Sequence, residues 1–150
     1  MKRFLVALLG AGGTLVAQGT GDYFNVESPQ VKPIAVARVA GHDYLLVCNT
    51  PDNSVEIYDT HTNGFVTRVR TGPEPVSVEF NPVTQRLYTA NFLGDSITVA
   101  NLSATGPLAP LQVQFETTLY VGDEPADVAF SLDGSLLLVS LSSRSVMRVL

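Results

Sequence analysis

Three stretches of this chain superimpose residue for residue. Each opens at a proline: Pro33-Ile-Ala-Val, Pro75-Val-Ser-Val and Pro125-Ala-Asp-Val. A second apolar run follows in each, Leu45-Leu-Val-Cys-Asn49, Leu87-Tyr-Thr-Ala-Asn91 and Leu137-Leu-Val-Ser-Leu141. A short polar turn then leads to Ser54-Val-Glu-Ile-Tyr, Ser96-Ile-Thr-Val-Ala and Ser145-Val-Met-Arg-Val. Self-similarity at this period means that each unit must bury its faces against its neighbours, so the chain folds as a stacked or radial array.

The unit starts at 33, 75 and 125 are spaced by 42 and then 50 residues. The extra length falls in Ala104-Thr-Gly-Pro-Leu-Ala-Pro110, whose Pro/Gly content reads as a loop insertion. Within a unit the apolar runs are short and rich in Val, Leu, Ile and Tyr. Val76-Ser-Val-Glu-Phe80 alternates as a strand with unlike faces does. Asn81-Pro-Val-Thr-Gln85 and Ser131-Leu-Asp-Gly-Ser135 are turns, the second with the Asp-Gly hairpin signal. Phe115-Glu-Thr-Thr-Leu-Tyr-Val121 supplies a fourth strand in unit two. No segment carries sustained helical spacing. The expected fold is all-β, with blades of four antiparallel strands arranged as an incomplete β-propeller of about three units over 33–150. A closed propeller needs at least four blades, so these residues read as the N-terminal part of a longer protein or a truncated product. Its uncovered end blades predict a marginal, association-prone chain.

The units also resemble the YVTN-type repeat of the WD40/quinoprotein amine dehydrogenase-like propellers. Pro75-Val-Ser-Val-Glu-Phe80 with Leu87-Tyr-Thr-Ala-Asn91 is the nearest match, and Pro125 onward is similar in its first half. Unit one departs from the pattern, with Arg38 in place of a phenylalanine and Gly41-His-Asp43 in place of the usual turn; unit three has Leu141 in place of the asparagine. Asn25-Val-Glu-Ser-Pro29, followed by Ile34-Ala-Val, looks like the start of long exported bacterial propellers of this type. The resemblance implies a scaffold and no particular activity.

Residues 1–17 read as an export signal. Lys2 and Arg3 precede the uncharged run Phe4–Val16, which ends at the small residue Ala17. That run is too short and Gly-rich for a membrane span, which needs about 20 residues. The expected location is therefore the periplasm, the cell surface or the medium, with 18–32 as a lead-in to the first unit. The single cysteine, Cys48, excludes an internal disulfide and sits where units two and three carry Ala90 and Ser140, as a small buried filler. With 14 acidic against 9 basic residues and no basic cluster, the chain is poorly suited to gripping nucleic acid.

In four-stranded blades the link between blades lies at the same end as the loop joining strands two and three. That end gathers Asp52, Asn53, Asp95, Arg144 and the two Gly-x-Glu-Pro links with Glu74 and Glu124. A ring of carboxylates there would attract a divalent cation or a basic partner. The competing reading makes the Gly a turn, the Pro a strand starter and the Glu a solvated side chain. Asp127, on the innermost strand of unit three opposite Ala35 and Ser77 of the others, is a candidate lining residue of the central channel. His42 and His61 read as surface turn residues without ligand neighbours at zinc spacing. No nucleophile, phosphate-loop or haem-attachment motif occurs, so no catalytic residue and no bound cofactor is assigned within the chain. The sequence thus fits a non-catalytic exported platform for a protein or small-molecule ligand, completed by further blades of its own chain. The alternative is the propeller of an enzyme, sugar lactonase-like or an electron-transfer oxidoreductase, whose active residues lie past residue 150.

Overall fold

The computed structural model describes residues 30–143 and the backbone of 146–149; the expected signal peptide, most of the lead-in and Arg144 lie outside the described residues. The first blade is β1 (Ile34–Val39), β2 (His42–Asn49), β3 (Ser54–Asp59) and β4 (Phe65–Arg70), hydrogen-bonded in that order. The second is β5 (Pro75–Asn81), β6 (Arg86–Asn91), β7 (Ser96–Ser103) and β8 (Gln112–Tyr120). The third contributes β9 (Pro125–Phe130), β10 (Leu137–Leu141) and β11 (Val146–Val149). All neighbouring strands are antiparallel. Among the described residues the one helical element is a single 3-10 turn at Thr50–Asp52, capped by the Asn49 side chain. These four-stranded sheets confirm the expected blade.

Side chains alternate across each sheet, so a blade has two faces and needs two neighbours. One core lies between blades one and two. Tyr44, Leu46, Val55 and Ile57 from the first meet Val78, Phe80, Leu87 and Leu102 from the second. Ala90, Ile97 and Val99 point the other way, to Val128, Leu137, Val139 and Leu141 of blade three. Leu46, Ile57, Leu87 and Ile97 are fully buried, each stabilising the fold by about 1.5–3 kcal/mol relative to exposure. A register shift between Pro75 and Ser77 lets Val76 enter the second core while Ser77 reaches Asp127. The outward face of blade one carries Ile34, Val36 and Phe65, each about half exposed.

The turns differ from blade to blade. Blade one closes β1–β2 with the two residues Ala40 and Gly41, both at positive φ (50° and 85°), the geometry of a tight primed turn. The loop between β7 and β8 contains the expected insertion; Ala104 and Leu111 pack against the first core, and Pro107 lies close to Gly41. Thus the insertion covers the lower edge of the seam between blades one and two.

Candidate functional site

The loop end is built from a repeated joint. Asn53 and Asp95 both take left-handed backbone, φ 49° and 50°. Asn53 Oδ1 accepts the Glu74 N–H at 2.9 Å, and Asp95 Oδ1 accepts the Glu124 N–H at 3.1 Å. The Asn53 and Asp95 carbonyls accept from Thr71 and Val121, while the Glu74 and Glu124 carbonyls accept from Phe92 and Ser142. Each top loop therefore fastens the link that leads into the next blade. Glu74 and Glu124 occupy equivalent left-handed positions (φ 59° and 54°), which the Gly-x-Glu-Pro repeat foreshadows. Glu74 is not a solvated residue: it is 6% exposed. Glu124 is half-buried, with Ser142 Oγ donating to its carboxylate at 3.3 Å. Gly72 and Gly94 are needed for this close fit, because a Cβ would come within 2.8 Å of Asn91 Nδ2 and 2.9 Å of Pro73 Cδ respectively.

Asp52 serves the same end. Its carboxylate meets Arg68 at 2.5 Å, Arg70 at 3.3 Å and the Ser54 hydroxyl at 3.3 Å. Desolvation opposes its charge, but Arg70, Arg68 and Ser54 outweigh that and hold it below the usual carboxylate range. Between the outer strands β4 and β8 lies a groove of about 620 Å³. Its apolar wall is Val69, Val113, Phe115 and Tyr120; Thr71, Ser96, Thr98 and Thr118 add hydroxyls, and Arg68 and Arg70 line it at β4. Phe115 and Tyr120 are well exposed, at 57% and 81%.

Asp127 lies at the inner strands as expected, but it is engaged there. Ser77 Oγ donates to it at 2.6 Å, and Lys32 Nζ sits 3.4 Å away. Lys32 also pairs with Glu79 at 2.6 Å and donates to the Val128 carbonyl at 2.5 Å. The Lys32 backbone joins β5 through a parallel bridge to Ser77. One ammonium thus ties the entry to blade one to the inner strands of blades two and three. Sequence reasoning missed it because nothing in the lead-in marks Lys32 as inward.

The histidines require a correction. His42 is the first residue of β2, with its side chain only 11% exposed, and it does not stand alone. Its Nε2 lies 3.0 Å from Asp59 Oδ2, and its ring stacks on His61 with centroids 4.6 Å apart and a 29° tilt. Tyr44 covers another side of the ring at 4.8 Å. Asp59 Oδ1 accepts the His61 and Thr62 amides at 2.7 and 2.9 Å. The Thr62 amide does most to lower its pKa, against desolvation, with the His61 amide and His42 assisting. The β2–β3 register explains the meeting. It sets Tyr44 opposite Asp59, and two more residues in the same register bring His42 to His61. Asp43 points elsewhere and pairs with Arg38 at 3.6 Å.

The radial order of these sheets, with each inner strand leading outward through its blade, defines an arc of a β-propeller. Solved structures with the same arrangement include Kuenenia stuttgartiensis hydrazine synthase, 22% identical, with a TM-score of 0.62 over 86% of this chain and 35% of that one. The Cps50 (Swd1) β-propeller domain of Myceliophteria thermophila is 20% identical, with a TM-score of 0.55 over 77% of this chain and 41% of that domain. A Bacteroides uniformis protein named as a 6-phosphogluconolactonase is 13% identical, with a TM-score of 0.61 over 77% of this chain and 34% of its own. At such identities the likeness is one of fold alone. The chain spans about a third to two fifths of the length of these structures. No protein-family model and no curated protein matches the sequence. Among the described residues no helix is long and apolar enough to cross a membrane.

Proposed function

We propose that this chain is part of an exported, non-catalytic propeller of the YVTN-repeat type that acts as a binding platform. The observation that carries the reading is how the loop-end side chains are used. Asn53, Asp95 and Asp52 hold loops, links and arginines in place. What they hold in place includes the β4 wall of the groove, where two guanidinium groups share one carboxylate beside an exposed Phe115 and Tyr120. That combination suits a protein segment bearing an acidic and an apolar side chain, since aromatic and arginine side chains dominate such contacts. Ile34, Val36 and Phe65 on the outward face of blade one fit a further blade of the same protein. Export rests on Lys2, Arg3 and the apolar run that follows them.

Two measurements test the reading. Residues 1–32 fused to alkaline phosphatase, an enzyme active only outside the cytoplasm, are expected to give active fusions; an inactive, full-length fusion removes the export claim. A photo-crosslinking residue at Phe115 is expected to trap protein in the source cells, and Arg68→Glu with Arg70→Glu is expected to abolish that product. Sugar-lactone ring opening above the spontaneous rate, lost on substituting a single carboxylate of this chain, would favour the enzyme reading instead.

A further inference from the structure

We infer that His42, Asp59 and His61 form a binding site for a divalent transition-metal ion, with zinc the best fit, at the end of blade one opposite the loop end. Their three ligand atoms lie within 4.8 Å of one another. Two imidazoles and one carboxylate are the donors that zinc, copper and nickel prefer, whereas calcium and magnesium want oxygen. Bonds of about 2.0–2.1 Å in a tetrahedral site place neighbouring ligand atoms about 3.3 Å apart. His42 Nε2 and Asp59 Oδ2, at 3.0 Å, already stand near that spacing. The remaining closure falls to His61, an exposed side chain on a turn that can rotate inward.

The supporting contacts are those of a built site. Metal-binding groups need second partners that fix their orientation. Asp59 has them in the His61 and Thr62 amides, which occupy Oδ1 and leave Oδ2 aimed at His42. Tyr44 packs on the His42 ring. The nearby Arg38 is paired with Asp43. On metal binding, His42 presents the Nε2 lone pair to the ion as the neutral ring carrying its proton on Nδ1, and the ion takes the place of the Nε2–Asp59 hydrogen bond. Three protein ligands leave a fourth position for water or an external donor.

The test uses the whole chain without a polyhistidine tag, stripped with chelator and titrated with ZnCl2 by calorimetry and by NMR of the imidazole protons. The chain has two histidines, so both ring signals belong to the site. One zinc per chain is expected, with both rings shifting together and CaCl2 moving neither. His61→Ala, which alters only an exposed turn residue, is expected to weaken binding at least about tenfold. Asp59→Asn keeps an oxygen for the two amides and is expected to weaken binding by a similar factor. Zinc that leaves either ring unshifted, or His61→Ala and Asp59→Asn proteins that bind zinc like the parent, would overturn the inference.

Discussion

The joint between blades one and two makes a graded prediction at Asn53. Replacing it with Ala removes the oxygen that accepts the Glu74 N–H at 2.9 Å in a buried link. Losing one partner of such a bond costs about 1–3 kcal/mol. Alanine must also hold the left-handed backbone, φ 49°, which asparagine tolerates through its polar side chain, adding about 1 kcal/mol. The sum for Asn53→Ala is about 2–4 kcal/mol. Asn53→Gly carries only the first cost, about 1–3 kcal/mol. Asn53→Asp should stay within about 0.5 kcal/mol, because Asp95 performs the same task for Glu124 in the next blade. Urea unfolding followed by tyrosine fluorescence suits a chain with five tyrosines and no tryptophan. At roughly 1–3 kcal/mol per molar urea, a 3 kcal/mol loss moves the midpoint by about 1–3 M. Hydrogen exchange at the Glu74 amide localises the effect: protected in the parent and Asn53→Asp, fast in Asn53→Ala and Asn53→Gly. If Asn53→Asp is as damaging as Asn53→Ala, or the Glu74 amide stays protected in all variants, the joint does not work through this oxygen.

Three other perturbations follow from the structure. Asp133 accepts from Ser131 Oγ, the Ser135 amide and Ser135 Oγ, which lower its pKa from 3.8 to about 2, the Ser131 bond foremost. Its support of the β9–β10 turn is therefore present above pH 4 and lost as pH falls through about 2; an NMR carboxyl titration with a midpoint near 3.8 would contradict this. Cys48 is buried and its thiol is pushed up to about 12 by that burial, so a disulfide-exchange reagent at pH 8 should react only after unfolding; rapid native labelling refutes it. Leu87→Ala opens a cavity in the first core and should cost about 2–5 kcal/mol in the same urea experiment, a loss under about 1 kcal/mol arguing against a tight seam.

The blade is legible in the sequence because its period-two alternation and its turns are local. Val76-Ser-Val-Glu-Phe80 and the Asp133-Gly134 turn announce their conformations within a few residues. Contacts between units are harder to read. Asn53 and Asp95 stand out only as turn residues, and their purpose appears when the link 21 or 29 residues later folds back on them. His42 was obscured by the turn before it. Units two and three cross from their first to second strands by longer loops, which suggests the same for Gly41-His-Asp43. Ala40 and Gly41 instead complete the turn, so His42 enters the strand. Only the exact pairing of β2 with β3 then reveals Asp59 and His61 as its neighbours. Lys32 shows the same limit, since its partners Glu79 and Asp127 come from two other blades.

The fastening of one blade to the next has a consequence for how such a chain grows. The acceptor, Asn53 or Asp95, sits in one unit, and the donor, the Glu74 or Glu124 amide, lies in the link that leaves it. A tandem duplication of one unit with its link therefore copies both halves of the clasp. The new copy arrives with its own hinge geometry and needs no matching change elsewhere. Gain or loss of a blade in such a chain thus keeps the joint between units intact, whether its acceptor is an asparagine or an aspartate.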